Sequence, residues 1–227
     1  MKKIKKSLLP KDEEYIFTEG IDYFKTGKAS IWGDGDKDTL ELLNKTEIRG
    51  RWLNLAAGDG RYNRELLEKA DHVTATDIDE SALSKLWHYT PSEYRSRLET
   101  EAFDLTRGFP FNDRSFNGIF SASTLHYFPK DVLQHIFNEI DRVLDNKGKL
   151  IIEFATDIKR ILPDGKLYIR SSEPQYKFKD ASEFLEDLLR EYKVRIIRSK
   201  VPEEEIRTRG MTFRLSCNLI LLTGEKE

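Results

Sequence analysis

The segment Trp52-Leu53-Asn54-Leu55-Ala56-Ala57-Gly58-Asp59-Gly60-Arg61 constrains this chain more than any other. An apolar run enters two glycines that flank one residue, and a helical pattern carrying Leu66 and Leu67 follows. A buried parallel strand that empties into a ligand-binding turn has this form. A second strand-like run, His72 to Thr76, ends on Asp77. Two turn glycines alone are ordinary punctuation. Joined to a carboxylate at the tip of the next strand, they indicate a site for a ribose-bearing cofactor.

Periodicity supplies the frame around that turn. An amphipathic segment over 11–26 carries Tyr15, Ile16, Tyr23 and Phe24. A polar Gly/Asp stretch at 33–36 leads to a short helix with Leu40, Leu42 and Leu43. Strands are expected at 51–55, 72–76, 98–103, 116–121 and 149–154. Asp79 is placed to cap the helix carrying Leu83, Leu86 and Trp87. A stripe of Val132, Ile136 and Ile140 marks another helix, stopped by Asn146-Lys147-Gly148. This alternation argues a parallel sheet with helices on both faces. A capping box at Asp180-Ala181-Ser182-Glu183 opens a last helix with Phe184, Leu185, Leu188 and Leu189. Strands at 194–201 and 212–222 follow, about ten residues apart. That link is too short for a parallel crossover, so the pair should be antiparallel.

A chain of 227 residues is the size of one α/β domain and buries a core without staples. Charged residues make up 34%, yet the formal net charge is −2, which leaves no global footprint for nucleic acid. Cys217 is the only cysteine, which excludes a disulfide framework and a cysteine zinc site. A reduced, cytoplasmic compartment is expected. No metal-ligand cluster forms in sequence, and no apolar run reaches the length of a membrane span. The Lys/Glu-rich, Gln-poor composition hints at a thermophile.

The residues bear on which cofactor is bound. A nicotinamide-binding turn wants a third glycine where Asn63 stands, and Asp59 between the two glycines would repel a pyrophosphate. It is tolerable beside a cationic ligand. A terminal antiparallel hairpin is also not the usual close of a dinucleotide domain. In these features the chain resembles the class I S-adenosylmethionine-dependent methyltransferases, nearest the ubiquinone/menaquinone-biosynthesis-like, small-molecule group. The resemblance covers residues 40–155, with the hairpin in the place of the family's last two strands. It implies a doubly wound, seven-stranded, mostly parallel α/β sheet with an antiparallel C-terminal hairpin, the Rossmann-like methyltransferase fold. The family's pattern at the turn is Leu-Asp-Leu-Gly-x-Gly-x-Gly; here Asn54 takes the acidic place and Ala56 the first glycine. Asn117 likewise stands where the strand-four segment commonly has Asp.

The resemblance implies S-adenosylmethionine as cofactor. Gly58 and Gly60 would let backbone approach its methionine and ribose, and Asp77 would accept from the ribose hydroxyls. Ile78 would pack on adenine, with Asp104 and Leu105 at its amino group. Ser121 and Ala122 would border the transferable methyl. In the family the acid at position 54 helps hold the ammonium group; Asp59 is the candidate to compensate for Asn54.

Methyl transfer from a sulfonium needs mainly a nucleophile held in line. An amine or thiolate needs little further help. A hydroxyl or carbon nucleophile needs a base, for which His126, then Tyr127, after the fourth strand, are the candidates. Residues 1–36 form an expected cap over a domain spanning 37–227, with Tyr23, Phe24 and Trp32 able to close over the cofactor or simply to pack. The stretch 157–179, rich in Lys, Arg and Tyr, is expected to be a solvated insertion rather than a lid. The leading expectation is methyl transfer to a small-molecule acceptor. Its rivals are an RNA or protein methyltransferase and a non-catalytic module holding the same cofactor. A nicotinamide-dependent oxidoreductase is disfavoured by Asp59, Asn63 and the hairpin. The acceptor and the oligomeric state cannot be read from these residues.

Overall fold

The computed structural model describes residues 22–25, 27–170, 173–208 and 211–227. The helix expected over 11–26 lies mostly outside them; within it, Asp22–Lys25 form a turn closed by Lys25 N–H donating to Asp22 O at 3.3 Å.

Seven strands form one sheet in the order β3-β2-β1-β4-β5-β7-β6. Strands β1 (Arg51–Asn54), β2 (His72–Asp77), β3 (Leu98–Ala102), β4 (Phe116–Ala122) and β5 (Leu144–Ile161) run parallel. Strands β6 (Tyr192–Thr208) and β7 (Met211–Lys226) join antiparallel, with β7 inserted between β5 and β6. The chain reverses after β1, which has β2 on one side and β4 on the other. Open α/β sheets bind ligands at such a switch point, beyond the carboxyl ends of the strands.

Helices cover both faces. Helices α1 (Lys37–Lys45), α2 (Asn63–Leu67) and α3 (Glu80–Tyr89) contribute Leu43, Leu66, Leu67, Leu83 and Leu86 to a core against Trp52, Val73, Phe120 and Ile151. On the other face, α4 (Lys130–Val143) and α5 (Phe178–Leu188) bury Leu133, Ile136, Ile140, Ala181 and Leu185 against Leu53, Ile119, Ile152 and Phe154. Each of these leucines and isoleucines contributes about 1.5–3 kcal/mol. Asp79 caps α3 as its sequence suggests, accepting from Ser81 N–H at 2.8 Å. Helix α1 is tied to the far edge of the sheet by Ser199 Oγ, which donates to Asp38 Oδ2 at 2.6 Å.

Four details depart from the sequence reading. The helix before β5 ends at Val143, and Leu144 already begins the strand; Lys147 rather than Gly148 takes the left-handed conformation, at φ +59°. Helix α5 starts at Phe178, ahead of the expected capping box, and its first turn is served from a distance: Phe178 N–H donates to Asp157 Oδ2 at 3.3 Å. The final hairpin is much longer than expected, its ladder running to Thr208 opposite Met211. The stretch after residue 157 begins as strand, since β5 continues to Ile161 paired with β7. Asn117 sits at the opposite end of β1 from the turn, where its Oδ1 accepts from Arg51 N–H at 2.9 Å. Among the described residues no helix is long and apolar enough to cross a membrane.

Candidate functional site

The glycine turn lies where β1 ends. Leu55 N–H still donates to Phe120 O across to β4, and Ala57 N–H donates to Thr76 O across to β2. The turn therefore hangs between both neighbours of β1. Ala56 turns the chain at φ +55°, a conformation that disfavours any Cβ. Gly58 and Gly60 follow at φ +55° and +94°. Their surroundings differ. A methyl on Gly58 would meet only Trp32 Nε1, at 3.8 Å; one on Gly60 would lie 2.8 Å from Leu86 Cγ. Gly58 faces open space and Gly60 faces α3.

Asp77, at the tip of β2, reaches back to this turn. Its Oδ2 accepts from Gly58 N–H at 2.8 Å and its Oδ1 from Asp79 N–H at 3.0 Å. Burial raises its pKa above the ordinary carboxylate value, against those two hydrogen bonds. Ile78 beside it is 42% exposed. Asp104, beyond β3, accepts from Thr106 N–H and Oγ1 and pairs with Arg107 Nε at 3.2 Å. Leu105 is buried in the core, so only its backbone faces the strand ends. Ser121 Oγ is buried without a hydrogen-bond partner, next to half-buried Ala122.

Asp59 and Asn54 are engaged otherwise than expected. Both Asp59 oxygens are taken inside the protein, by Ser30 Oγ at 2.6 Å, Ile31 N–H at 2.7 Å and the Lys85 ammonium at 3.1 Å. It holds the segment before α1 and does not offer its charge to a ligand. Asn54 is buried and donates from Nδ2 to Asn63 Oδ1 at 3.2 Å. The two departures from the compared patterns, Asn54 and Asn63, thus bond to each other.

Sequence reasoning missed Glu153. It is 1% exposed in the middle of β5 and receives three hydroxyls. Thr39 donates at 2.5 Å, Tyr62 at 2.9 Å, and Ser123 donates to the other oxygen. Burial raises its pKa, and the nearby Asp36 charge adds to the effect. The available signal was one charge inside the apolar run Leu150-Ile151-Ile152-Glu153-Phe154-Ala155.

His126 lies in a single helical turn, Leu125–Tyr127, after β4. It is 4% exposed, its ring stacks against Tyr127 at 4.1 Å, and Phe154 meets it edge-on. Its Nδ1 is buried without a partner. Burial, with Arg160 and Arg170, pushes its pKa down to about 3. The ring is neutral at neutral pH and a weak base. Residues 163–167 after β5 stand in solvent, as expected of a solvated insertion, while Arg160 at the end of β5, Glu173 and Tyr176 pack near this place. Arg160 makes a buried two-pronged pair with Glu173, at 2.5 and 2.7 Å, and Tyr176 donates to Phe128 O at 2.8 Å while its ring meets Phe154.

Residues 53–152 match the family model described as methyltransferase domain. That match covers the first strands of the sheet and the helices between them, and it is a likeness to methyltransferases over this part of the chain. Solved structures share the fold around this segment. The YcgJ protein of Bacillus subtilis is 12% identical, with a TM-score of 0.59 over 85% of this chain and 99% of that one. A putative methyltransferase of Bacillus halodurans C-125 is 16% identical, with a TM-score of 0.61 over 84% and 99%. DhpI, solved as a complex with SAH, is 23% identical, with a TM-score of 0.55 over 79% and 81%. No curated protein matches the chain. The matched segment runs from β1 to the middle of β5 and stops one residue before Glu153. Among the described residues, no group of three or more His, Cys, Asp or Glu side chains could hold a metal ion.

Proposed function

We propose that the protein transfers the methyl group of S-adenosylmethionine to a small-molecule acceptor whose nucleophile arrives ready to attack, such as an amine or a thiolate. The observation that carries the cofactor is the Asp77–Gly58 hydrogen bond at 2.8 Å. It fixes a carboxylate at the tip of one strand beside an open glycine turn at the tip of the next. The residues present fit the group. Asp77 keeps lone pairs free for ribose hydroxyls, exposed Ile78 offers an apolar face to adenine, and the Asp104–Leu105 backbone lies beyond the neighbouring strand. The open side of Gly58 leaves room along the backbone from Ala56 to Gly60 for the methionine part. Ser121, its hydroxyl unspent, and Ala122 would border the methyl.

S-adenosylmethionine supplies a methyl already activated on a sulfonium, and transfer is an in-line displacement. The protein's task is then positioning, which is worth about 7–11 kcal/mol. His126, neutral and shielded, is suited to shape and orient an acceptor, with Tyr127 stacked on it. An imidazole of such low basicity gives little help to a hydroxyl, which supports an acceptor that needs none. Support for a small molecule comes from the formal net charge of −2, which gives no global footprint for a polyanion. Arg160, at the end of β5, is spent on Glu173.

A thermal-shift comparison tests the cofactor. S-adenosylmethionine and its demethylated product should stabilise the fold, by about 2.7 kcal/mol at a hundredfold excess over Kd, and NADH should not. No shift with the first two would defeat the proposal. Release of demethylated product over a panel of amines, thiols, phenols and an RNA then tests the acceptor; turnover with RNA alone would overturn the small-molecule reading.

A further inference from the structure

Several carboxylates at the carboxyl edge of the sheet are paired with a base. Asp59 is paired with Lys85 at 3.1 Å, Asp36 with Arg61 at 3.1 Å, Asp104 with Arg107 at 3.2 Å, and Glu173 with Arg160. Asp77, the α3 cap Asp79 and Glu153 have no basic partner within ion-pair range among the described residues. Asp77 has the ribose in the reading above. Glu153 receives only neutral hydroxyls, and among the described residues no basic side chain comes within ion-pair range of it. Hydroxyl donors spread a carboxylate's charge without cancelling it. A buried charge with no counter-charge is costly.

The donors also show where this charge stands. Ser123 directly follows Ala122 at the end of β4, and its backbone N–H donates to Glu153 O at 3.2 Å. Ser123 itself is held at φ +56°. Tyr62 lies two residues past Gly60, and Thr39 belongs to α1. The carboxylate therefore sits behind the junction of the glycine turn and the end of β4, the two segments assigned to the methionine and methyl. We propose that Glu153 supplies the negative charge that favours the cofactor's positive charge, in place of an acid at position 54; this rests on the S-adenosylmethionine reading above. Contact is not required, since charges inside a protein act over several ångströms at reduced dielectric. Asn54, bonded to Asn63, brings no charge, and Asp59 is consumed by Lys85.

The test is calorimetric titration of the whole chain with S-adenosylmethionine and, separately, with its demethylated product, which lacks the sulfonium charge. Glu153→Gln keeps the shape of the side chain. It should weaken S-adenosylmethionine about tenfold and the product at most two- to threefold. Equal weakening of both, or of neither, overturns the inference. A measurement on the unaltered protein guards against a variant that fails to fold. Binding below neutral pH, in buffers of different ionisation enthalpy, should release more protons with S-adenosylmethionine than with the product. Asp77 meets both ligands alike and cancels in that difference. The other ionisable groups facing Glu153 are Asp36, paired with Arg61, and Tyr62 and Cys217, both held protonated by burial. Equal proton release overturns the inference as well. If the unaltered protein binds neither ligand, the cofactor reading fails and takes this one with it; if both bind and only the difference is missing, the role of Glu153 alone fails.

Discussion

Lys85 Nζ stands 3.1 Å from Asp59 Oδ2, and both side chains are wholly shielded from solvent. Removing one partner of such a pair strands the other as an uncompensated charge. Lys85→Met should therefore cost about 3–5 kcal/mol in urea denaturation. Asp59→Asn together with Lys85→Met should recover a good part of that loss, because it removes both charges at once. A loss below about 1 kcal/mol for the single variant would show that Asp59 is satisfied by Ser30 and Ile31 alone.

The two glycines of the turn should respond differently to a methyl group. Gly60→Ala forces a Cβ to 2.8 Å from Leu86 Cγ at φ +94°, so about 2–3 kcal/mol of stability should go. Gly58→Ala finds open space and should cost about 1 kcal/mol, mostly from its φ of +55°. Its larger effect should be on ligand affinity, read by calorimetry. Equal unfolding midpoints for the two variants would contradict this difference in surroundings.

Ala56 carries a Cβ in a conformation that glycine adopts freely. Ala56→Gly removes that strain but adds freedom to the unfolded chain. The strain should win, with a gain of up to about 1 kcal/mol in thermal unfolding. A destabilised variant would mean that the Ala56 methyl packs well enough against the core to outweigh its backbone strain.

His126 has its pKa lowered in the folded state to about 3, from about 6.5 when unfolded. The unfolded chain then binds the extra proton between those values. The stability gained by keeping the ring neutral is present above about 6.5 and is lost as pH falls toward about 3. His126→Phe has no such proton to bind. Its stability relative to the unaltered protein should therefore improve as the medium is acidified, in denaturation measured at several pH values. A constant difference would mean that His126 is reached by water.

The turn and Asp77 were legible because local rules write them. Strand runs end visibly, glycines punctuate, and a carboxylate at a strand tip is seen within a few residues. Glu153 was not legible as a site residue, because its meaning comes from Thr39, Tyr62 and Ser123, which fold to it from three separate places. Asp59 was read as a partner for the cofactor's ammonium group; in the structure it is bonded to Lys85, on α3, which sequence spacing does not mark as a partner. The start of α5 was misplaced for a similar reason. Asp157 caps it from β5, and only the register of β5 against β7 brings that carboxylate there. The long hairpin was underestimated because its outer residues are charged, with Glu203 bonded to Arg214 across the strands in place of apolar alternation.

The bonds from α1 to Glu153 and Ser199 bridge 114 and 161 residues of chain. Contacts that close such long loops form late, since their entropy cost falls due before their reward. On a ribosome, Asp38 and Thr39 emerge early and then wait, with β5 and β6 still to be made. The glycine turn can fold with its neighbouring strands before that, but the hydroxyl set around Glu153 closes only once β5 has been made, and the Asp38–Ser199 bond waits for β6. The buried carboxylate proposed to favour a charged ligand thus gains its full set of hydroxyl partners through the return of one of the first helices made.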